Sequence, residues 1–479
     1  MESRFSLELL TFFIYFCVLI LIAVFATKKQ RSDADFILGN RSLNFWLTAL
    51  SAHASDMSSW LFLGYPALIF AGGLFNAWAA IGLVFFMFLN WHFIAPKIRT
   101  LTEQSNSLTL SAYFENRFGD KSGKLRLISA FMSLLFFTFY ISSGLVALGI
   151  LVESVFGLPY TIGISIGLAI VVIYVFAGGY KTVAYIDLFQ GFFLLGVILF
   201  IPCLLLYKIG GLSIVLSQIK AKHLTTSLFP DLSLKTFWEI FALSASWGLP
   251  YFGQPHILTK FMGIRQVSEM KKAKYLGISW QTIALSAATL LGLVGIYLFP
   301  SGLANPERLI LEIVHQFLSP LFAGLVLCAI LAATTNVMAA QILVVASNLS
   351  EDFYKRLFRK DAGSSELLFV SRICVILIGL MAFVIAFFKI STIYELVLYS
   401  WSGLGASFGP LVLLSLYTKN INRHGAFWGI LNGGLGTAIW HQIDQSYHLG
   451  IPSLLVGFSL SALSIWIVSY ATNEQRVIE

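Results

Sequence analysis

Charge is what this 479-residue sequence has least of. Asp, Glu, Lys and Arg together make up 11%, against roughly 25% in a soluble globular protein. That is too little polar surface to cover several water-facing cores. Cysteine is also scarce. Cys17, Cys203, Cys328 and Cys374 stand far apart inside apolar runs, without zinc or redox spacing, and read as small buried hydrophobes. Phosphate-cradling glycine loops, nucleophile elbows and His/Cys metal spacings are missing as well, which argues against an enzyme and against a bound cofactor. What is present is 58% hydrophobic residues, among them 43 Phe, 18 Tyr and 11 Trp, at a mean hydropathy of +0.83. Such a chain is neither disordered nor water-soluble. It reads as an all-α polytopic membrane protein.

Spanning a hydrocarbon core of about 30 Å takes about 20 apolar residues. On that criterion thirteen segments are expected, near 9–27, 45–72, 76–96, 127–151, 160–177, 185–207, 236–258, 275–299, 320–346, 366–388, 393–417, 424–442 and 450–471. The first is not expected to be a cleaved signal, because Lys28, Lys29 and Arg31 follow its apolar run instead of preceding it. Of the 31 Lys and Arg, 23 fall in one set of alternating loops and 7 in the other, with Arg372 inside a segment. The positive-inside rule then places the N-terminus outside and the C-terminus, with Arg476, in the cytoplasm. The net charge of +8 is therefore mostly topology, and a nucleic-acid partner is not expected. The loops 97–126 and 208–235 are expected to hold short amphipathic helices.

Two segments are interrupted by residues that an unbroken span does not carry. The second reads Leu50-Ser51-Ala52-His53-Ala54-Ser55-Asp56-Met57-Ser58-Ser59-Trp60. A carboxylate at mid-membrane costs ~2.5–3.5 kcal/mol even on the lenient insertion scale, and clustered serines compete with the helix ladder. The seventh reads Ser244-Ala245-Ser246-Trp247-Gly248-Leu249-Pro250-Tyr251-Phe252-Gly253-Gln254-Pro255-His256. Two prolines and two glycines this close preclude a continuous helix. Broken helices at membrane depth occur where they line a cavity. Each break opens a run of five segments, 45–207 and 236–417. Five is odd, so the second run enters from the opposite side. This is the inverted-repeat pattern of secondary transporters, with the site between discontinuous helices.

At these residues the sequence resembles the sodium/solute symporter family, in its proline-transporting branch. The resemblance is carried by Asp35-Phe36-Ile37-Leu38-Gly39-Asn40-Arg41-Ser42-Leu43, Ala54-Ser55-Asp56-Met57-Ser58, Gly178-Gly179 with Asp187 and Gln190, Tyr251-Phe252-Gly253-Gln254-Pro255-His256-Ile257-Leu258, Ala329-Ile330-Leu331-Ala332-Ala333 and Phe408-Gly409-Pro410. It runs from about residue 30 to 470. It implies a LeuT-type 5+5 inverted-repeat fold with one helix added before the core (9–27) and two after it (424–471), as a single transmembrane transporter domain. It implies import of L-proline, or a closely related small amino acid, with sodium by alternating access in a bacterial inner membrane. The family's cation site maps to main-chain oxygens at Ala54 and Met57 and the carbonyl at Ala333, with ion coupling depending on Asp56. Its proline site maps to Ser58, Tyr140, Trp247, Tyr251 and Pro255, and Ser59 narrows the pocket where that branch has glycine.

One departure bears on the coupling ion. Where that branch has Ser-Thr, this chain has Asn336-Val337. Asn336 can offer one amide oxygen, and Val337 none. The hydroxyl pair that some relatives carry one turn further on is here Ala339 and Ala340. Thr334 and Thr335 point roughly 100–200° away on a helix. Proton-coupled or uncoupled transport is therefore the alternative. His53 lies three residues before Asp56 and shares a helical face with it, so a His53–Asp56 proton site is one form of it. Asp187 is a second candidate, with the bland reading of a helix N-cap. Arg372 is expected to snorkel, Glu239 and Glu395 to be interfacial, and the run Lys271-Lys272-Ala273-Lys274 to be topological. Pro410 and the 403–409 glycines are expected to assist a gate. A transporter-like sensor is the reading from another class. Only about eight residues follow the last run, so no fused signalling domain is expected.

Overall fold

The computed structural model describes residues 2–26, 33–222 and 224–472. Lys28, Lys29, Arg31 and Arg476, which entered the orientation argument, lie outside the described residues. The described residues are mainly helical, and no strand is found among them beyond one isolated bridge between Leu43 and Ile264. Its principal helices are α1 Glu2–Ala26, α2 Phe45–Ala54, α3 Gly64–Gly72, α4 Trp78–Leu89, α5 Lys124–Phe156, α6 Tyr160–Ile209, α7 Leu234–Gly248, α8 Pro255–Met262, α9 Met270–Leu298, α10 Pro320–Ser347, α11 Ser364–Phe387, α12 Ile393–Tyr417, α13 Arg423–Tyr447 and α14 Ser453–Thr472. Among the described residues eight helices are long and apolar enough to cross a membrane. The helical runs fall on the stretches read from hydropathy. The loops expected to be amphipathic hold the helices Ala95–Gln104, Leu110–Arg117 and Leu212–Ala221.

The stretches read as separate segments at 160–177 and 185–207 are two helices, named together α6, that meet at Gly179, whose φ 59° and ψ −174° are not helical. Glycine reaches that backbone conformation without a Cβ penalty. Asp187 sits well inside the helix beyond Gly179, so it is not an N-cap.

Both anticipated interruptions are present. α2 ends at Ala54, and the chain returns to helix through a 3₁₀ turn at Ser59–Leu61 before α3. α7 ends at Gly248, passes through a 3₁₀ turn at Leu249–Gly253 and an extended Gln254 (φ −83°, ψ 106°), and restarts as α8 at Pro255. Proline is well placed there, since at the first helical position its missing N–H costs nothing.

The breaks are packed in protein, not left in lipid. α9 lies against both α2 and α3, α10 against α2 and the Ser59–Leu61 turn, and α12 against the Leu249–Gly253 turn. α12 is an unbroken helix with Pro410 inside it. A Cβ on Gly405 would fall 2.5 Å from Pro250 Cα, and one on Gly253 only 2.4 Å from the Gly409 nitrogen. The glycines of α12, expected at a gate, thus let two backbones touch at the second break, as small residues do in membrane helix packing. The four cysteines form no disulfide.

Candidate functional site

The first break exposes main chain where a helix would hide it. Ser55 and Asp56 amides close turns onto the Ser51 and His53 carbonyls, at 3.2 and 3.3 Å. Among the described residues no backbone amide reaches the Ala54, Ser55 or Asp56 carbonyl, while Met57 O accepts from Leu61 N at 3.2 Å. Ser58 holds φ 51°, a left-handed conformation that costs a non-glycine residue of order 1–3 kcal/mol and clusters at functional sites. Its hydroxyl accepts from the Trp60 amide at 3.2 Å. The carbonyl edge formed by Ala54 and Asp56 suits a hard cation, which takes oxygen ligands.

The two breaks meet through one pair. Tyr251 Oη donates to Asp56 Oδ2, while Asp56 Oδ1 has no partner. Both residues are buried, Asp56 with 3% exposure. Around them stand aromatic rings from four elements. Trp60 lies 4.5 Å from Trp247 between ring centroids, and Tyr251 meets Trp401 edge-on at 5.3 Å. Asp56, Met57, Tyr140 and Trp247 line one small enclosed space with Trp60 and Trp401. A carboxylate, freed carbonyls and aromatic walls are the kinds of group that an amphoteric solute with an apolar ring is bound by.

The second break is held by polar side chains from neighbouring helices. Asn90 Nδ2 donates to Tyr251 O at 2.9 Å. Trp401 Nε1 donates to Trp247 O at 3.0 Å, and Gln254 Nε2 donates to Trp401 O at 3.0 Å. Freed backbone groups in a membrane protein must be met internally; Asn90 and Trp401 meet two carbonyls of the break, and Gln254, a residue of the break itself, ties it to α12. Asn90 and Trp401 escaped the sequence reading, and Trp60 entered it only as the end of the first interrupted stretch. No local pattern marks them, although a lone Asn in an apolar run was a usable signal.

The remaining sequence-nominated residues separate into three places. Pro255 is not in the enclosed space. It lines a separate crevice with His256, Lys260 and Ala340. Ser59 is fully buried with its hydroxyl unpartnered, and so is Asn336, whose Oδ1 and Nδ2 both lack partners. Ala333 is buried on α10, as are Val337, Ala339 and Ala340. Thr334 and Thr335 spend their hydroxyls on their own helix, bonding Ile330 O at 2.7 Å and Leu331 O at 2.8 Å. These bonds use the hydroxyl protons and leave the oxygen lone pairs free.

His53 and Asp56 do not form the pair that helical spacing suggested. The helix ends between them, so the shared face is lost. His53 Nε2 instead accepts from Trp91 Nε1 at 3.1 Å, with the two rings stacked at 5.8 Å. A Cβ on Gly277 would lie 2.0 Å from His53 Nε2, so the imidazole occupies the space that this glycine leaves on α9.

Asp187 forms a buried ion pair instead. Lys260 Nζ on α8 lies 3.0 Å from Asp187 Oδ2 and 2.7 Å from Ser51 Oγ, and Ser51 also donates to Asp187. The Lys260 and Asp187 side chains are 3% and 0% exposed. This cluster joins α2, α6 and α8, one half of each broken helix included. Further out, Arg41 donates to Met262 O at 2.9 Å, Thr102 O at 2.9 Å and Ser107 O at 2.8 Å. Arg99 Nε reaches Ile264 O at 2.7 Å. Two guanidiniums thus cover the carbonyls at and just beyond the end of α8, where the helix dipole is negative.

Of the residues given bland readings, Arg372 lies over the Phe176 ring at 5.1 Å, Glu239 pairs with Lys235 at 3.8 Å, and the Glu395 amide is capped by Thr392 at 3.2 Å.

Comparison with known proteins agrees with this geometry. Residues 36–433 match the model of the sodium:solute symporter family. The chain is 39% identical over 460 residues to a high-affinity proline transporter of Bacillus subtilis (strain 168), covering 95% of this chain and 96% of that one. It is 37% identical over 470 residues to a sodium/proline symporter of Escherichia coli (strain K12), covering 96% and 92%. Among solved structures, a substrate-bound, outward-open Na⁺-coupled sialic acid symporter superposes with a TM-score of 0.81 over 98% of both chains, at 19% identity. At that identity the likeness speaks for the fold. MhsT in complex with L-phenylalanine superposes at 0.54, over 89% of this chain and 98% of that one, at 14% identity. The chain is a multi-pass membrane transporter and belongs to the sodium:solute symporter family.

Proposed function

We propose that this protein imports L-proline, or a closely related small amino acid, together with a cation by alternating access. The observation that carries the reading is the Tyr251–Asp56 bond between the two breaks, with Trp60, Trp247, Tyr140 and Trp401 around it. Relatives named as proline transporters or sodium/proline symporters, 36–39% identical over nearly the whole chain, support the solute and the ion. In this reading Ser58, Ser59, Tyr140, Trp247, Tyr251 and Pro255 serve the solute, and Ala54, Asp56, Met57, Ala333 and Asn336 serve the ion. Thirteen segments cross a bacterial inner membrane, with five-segment repeats over 45–207 and 236–417, the N-terminus outside and the C-terminus in the cytoplasm.

Sodium is the coupling ion of this reading. A second reading, proton-coupled or uncoupled transport, is favoured by one observation: Asn336 and Val337 stand where the proline-transporting branch has Ser-Thr. In the proton-coupled form Asp187 or His53 carries the proton. Uptake of radiolabelled proline into proteoliposomes under separate sodium and proton gradients tests both. Accumulation driven by sodium alone supports the first, and by protons alone the second. Indifference to both gradients, or absence of uptake with retained proline binding, makes the chain a uniporter or a transporter-like sensor.

A further inference from the structure

His256 belongs to the motif around the second break, yet neither the cation site nor the solute site accounts for it. It is the second residue of α8, and 1% of it is exposed. Its ring nitrogens, Nδ1 and Nε2, both lack hydrogen-bond partners. A neutral imidazole always presents one donor and one acceptor, and leaving either unmet in a buried position is costly. Phe137, Tyr140 and Trp401 stand edge-on to the His256 ring, at centroid distances of 5.5, 6.3 and 6.5 Å.

Position gives the unmet nitrogens a meaning. Tyr140 and Trp401 line the enclosed space that holds Asp56. His256 and Pro255 line the crevice beyond, whose other walls are Thr109, Ala340 and Val344. Tyr140 and Trp401 therefore form a partition between the two spaces, with His256 on the crevice side. The first turn of α8 is also a helix N-terminus, where the backbone favours an anion. The cationic Lys260 lies one turn further along, held by Asp187 and Ser51.

We propose that His256 is a solute-binding residue on the inner face of this partition, taking the carboxylate of the amino acid as it leaves the Asp56 chamber for the crevice. This deepens the proline-transport reading and rests on it. The imidazole N–H donates to a carboxylate oxygen, and the second nitrogen is free to accept from the solute ammonium. An amphoteric solute supplies both partners that the protein withholds.

The test is proline uptake in proteoliposomes with His256→Phe and His256→Gln. Phenylalanine keeps the edge-on ring contacts and deletes both nitrogens. Glutamine keeps a donor and an acceptor. The expected result is a KM for proline raised about tenfold or more in His256→Phe, the weight of a hydrogen bond to a charged group, with half-saturating cation unchanged and His256→Gln recovering most of the loss. A wild-type KM in His256→Phe overturns the proposal, and so does equal impairment of both variants, which would make the role one of shape. Prolinamide supplies an arm independent of the phenylalanine variant. Wild-type protein should prefer proline over this competitor, and the preference should shrink in His256→Phe, or in His256→Asn if the former does not reach the membrane. An unchanged preference overturns the proposal. Should the wild-type protein move no proline at all, the underlying function fails, and that outcome is distinct from either result with the variants.

Discussion

Tyr251 donates its phenolic proton to Asp56 across 195 residues of sequence, and the bond joins the interrupted stretch of one helix to that of another. A carboxylate buried at this depth needs a donor. The donor comes from the partner break and not from a fixed scaffold, so any movement of one broken helix against the other is felt at Asp56.

Replacing Asp56 by Asn keeps an acceptor for Tyr251 and removes the charge. Transport should collapse while membrane expression and thermal stability stay near wild type, measured by uptake and by a melting assay in detergent. A variant that transports normally would remove Asp56 from ion coupling. Tyr251→Phe should raise the KM for the solute or the ion roughly 10–150-fold, the range of a hydrogen bond to a charged group.

Lys260→Met strips the buried Asp187 carboxylate of its counter-charge. Breaking one partner of a buried pair costs about 3–5 kcal/mol, so the melting temperature should fall clearly. Adding Asp187→Asn in the same chain should restore part of it. A single variant as stable as wild type would show that the pair is not formed in the membrane.

Gly277→Ala places a methyl group against the His53 ring, where a Cβ would come within 2.0 Å of Nε2. Overpacking of this kind costs about 1–3 kcal/mol. The double variant His53→Gly with Gly277→Ala should recover stability, because the smaller residue vacates the space. Failure to recover would mean that the imidazole does not sit on Gly277.

Asn336→Ser with Val337→Thr supplies the two hydroxyls that the proline-transporting branch carries. Half-saturating sodium in uptake assays should fall by about tenfold, in keeping with one added ion–dipole contact. No change would place the ion elsewhere than beside α10.

Much of the architecture could be read before any coordinates. The breaks at Ala54–Ser59 and Gly248–Pro255 announce themselves because Pro, Gly, Ser and Asp at such density disagree with an apolar helix, and that conflict is local. The partners at the breaks could not be read. Asn90, Trp401 and Lys260 act on carbonyls or carboxylates 73 to 161 residues away, and nothing in their own neighbourhoods names those partners. Helical spacing misled for His53, because it presumes a helix that continues to Asp56, and this one stops at Ala54. Nor does the sequence show that the glycines of α12 let its backbone meet that of the second break.

The sequence by itself determined that this chain lives in a membrane, where its helices break and which family it belongs to, because apolar run length, residue-level conflict with the helix and long matching text are properties of the chain read in order. Only the tertiary structure decided who satisfies Asp56, Asp187 and His53, and that His256 is left unsatisfied. A buried polar group is met or not met by whatever lies across the helix interface, and that depends on how the helices cross, which no local run of residues specifies.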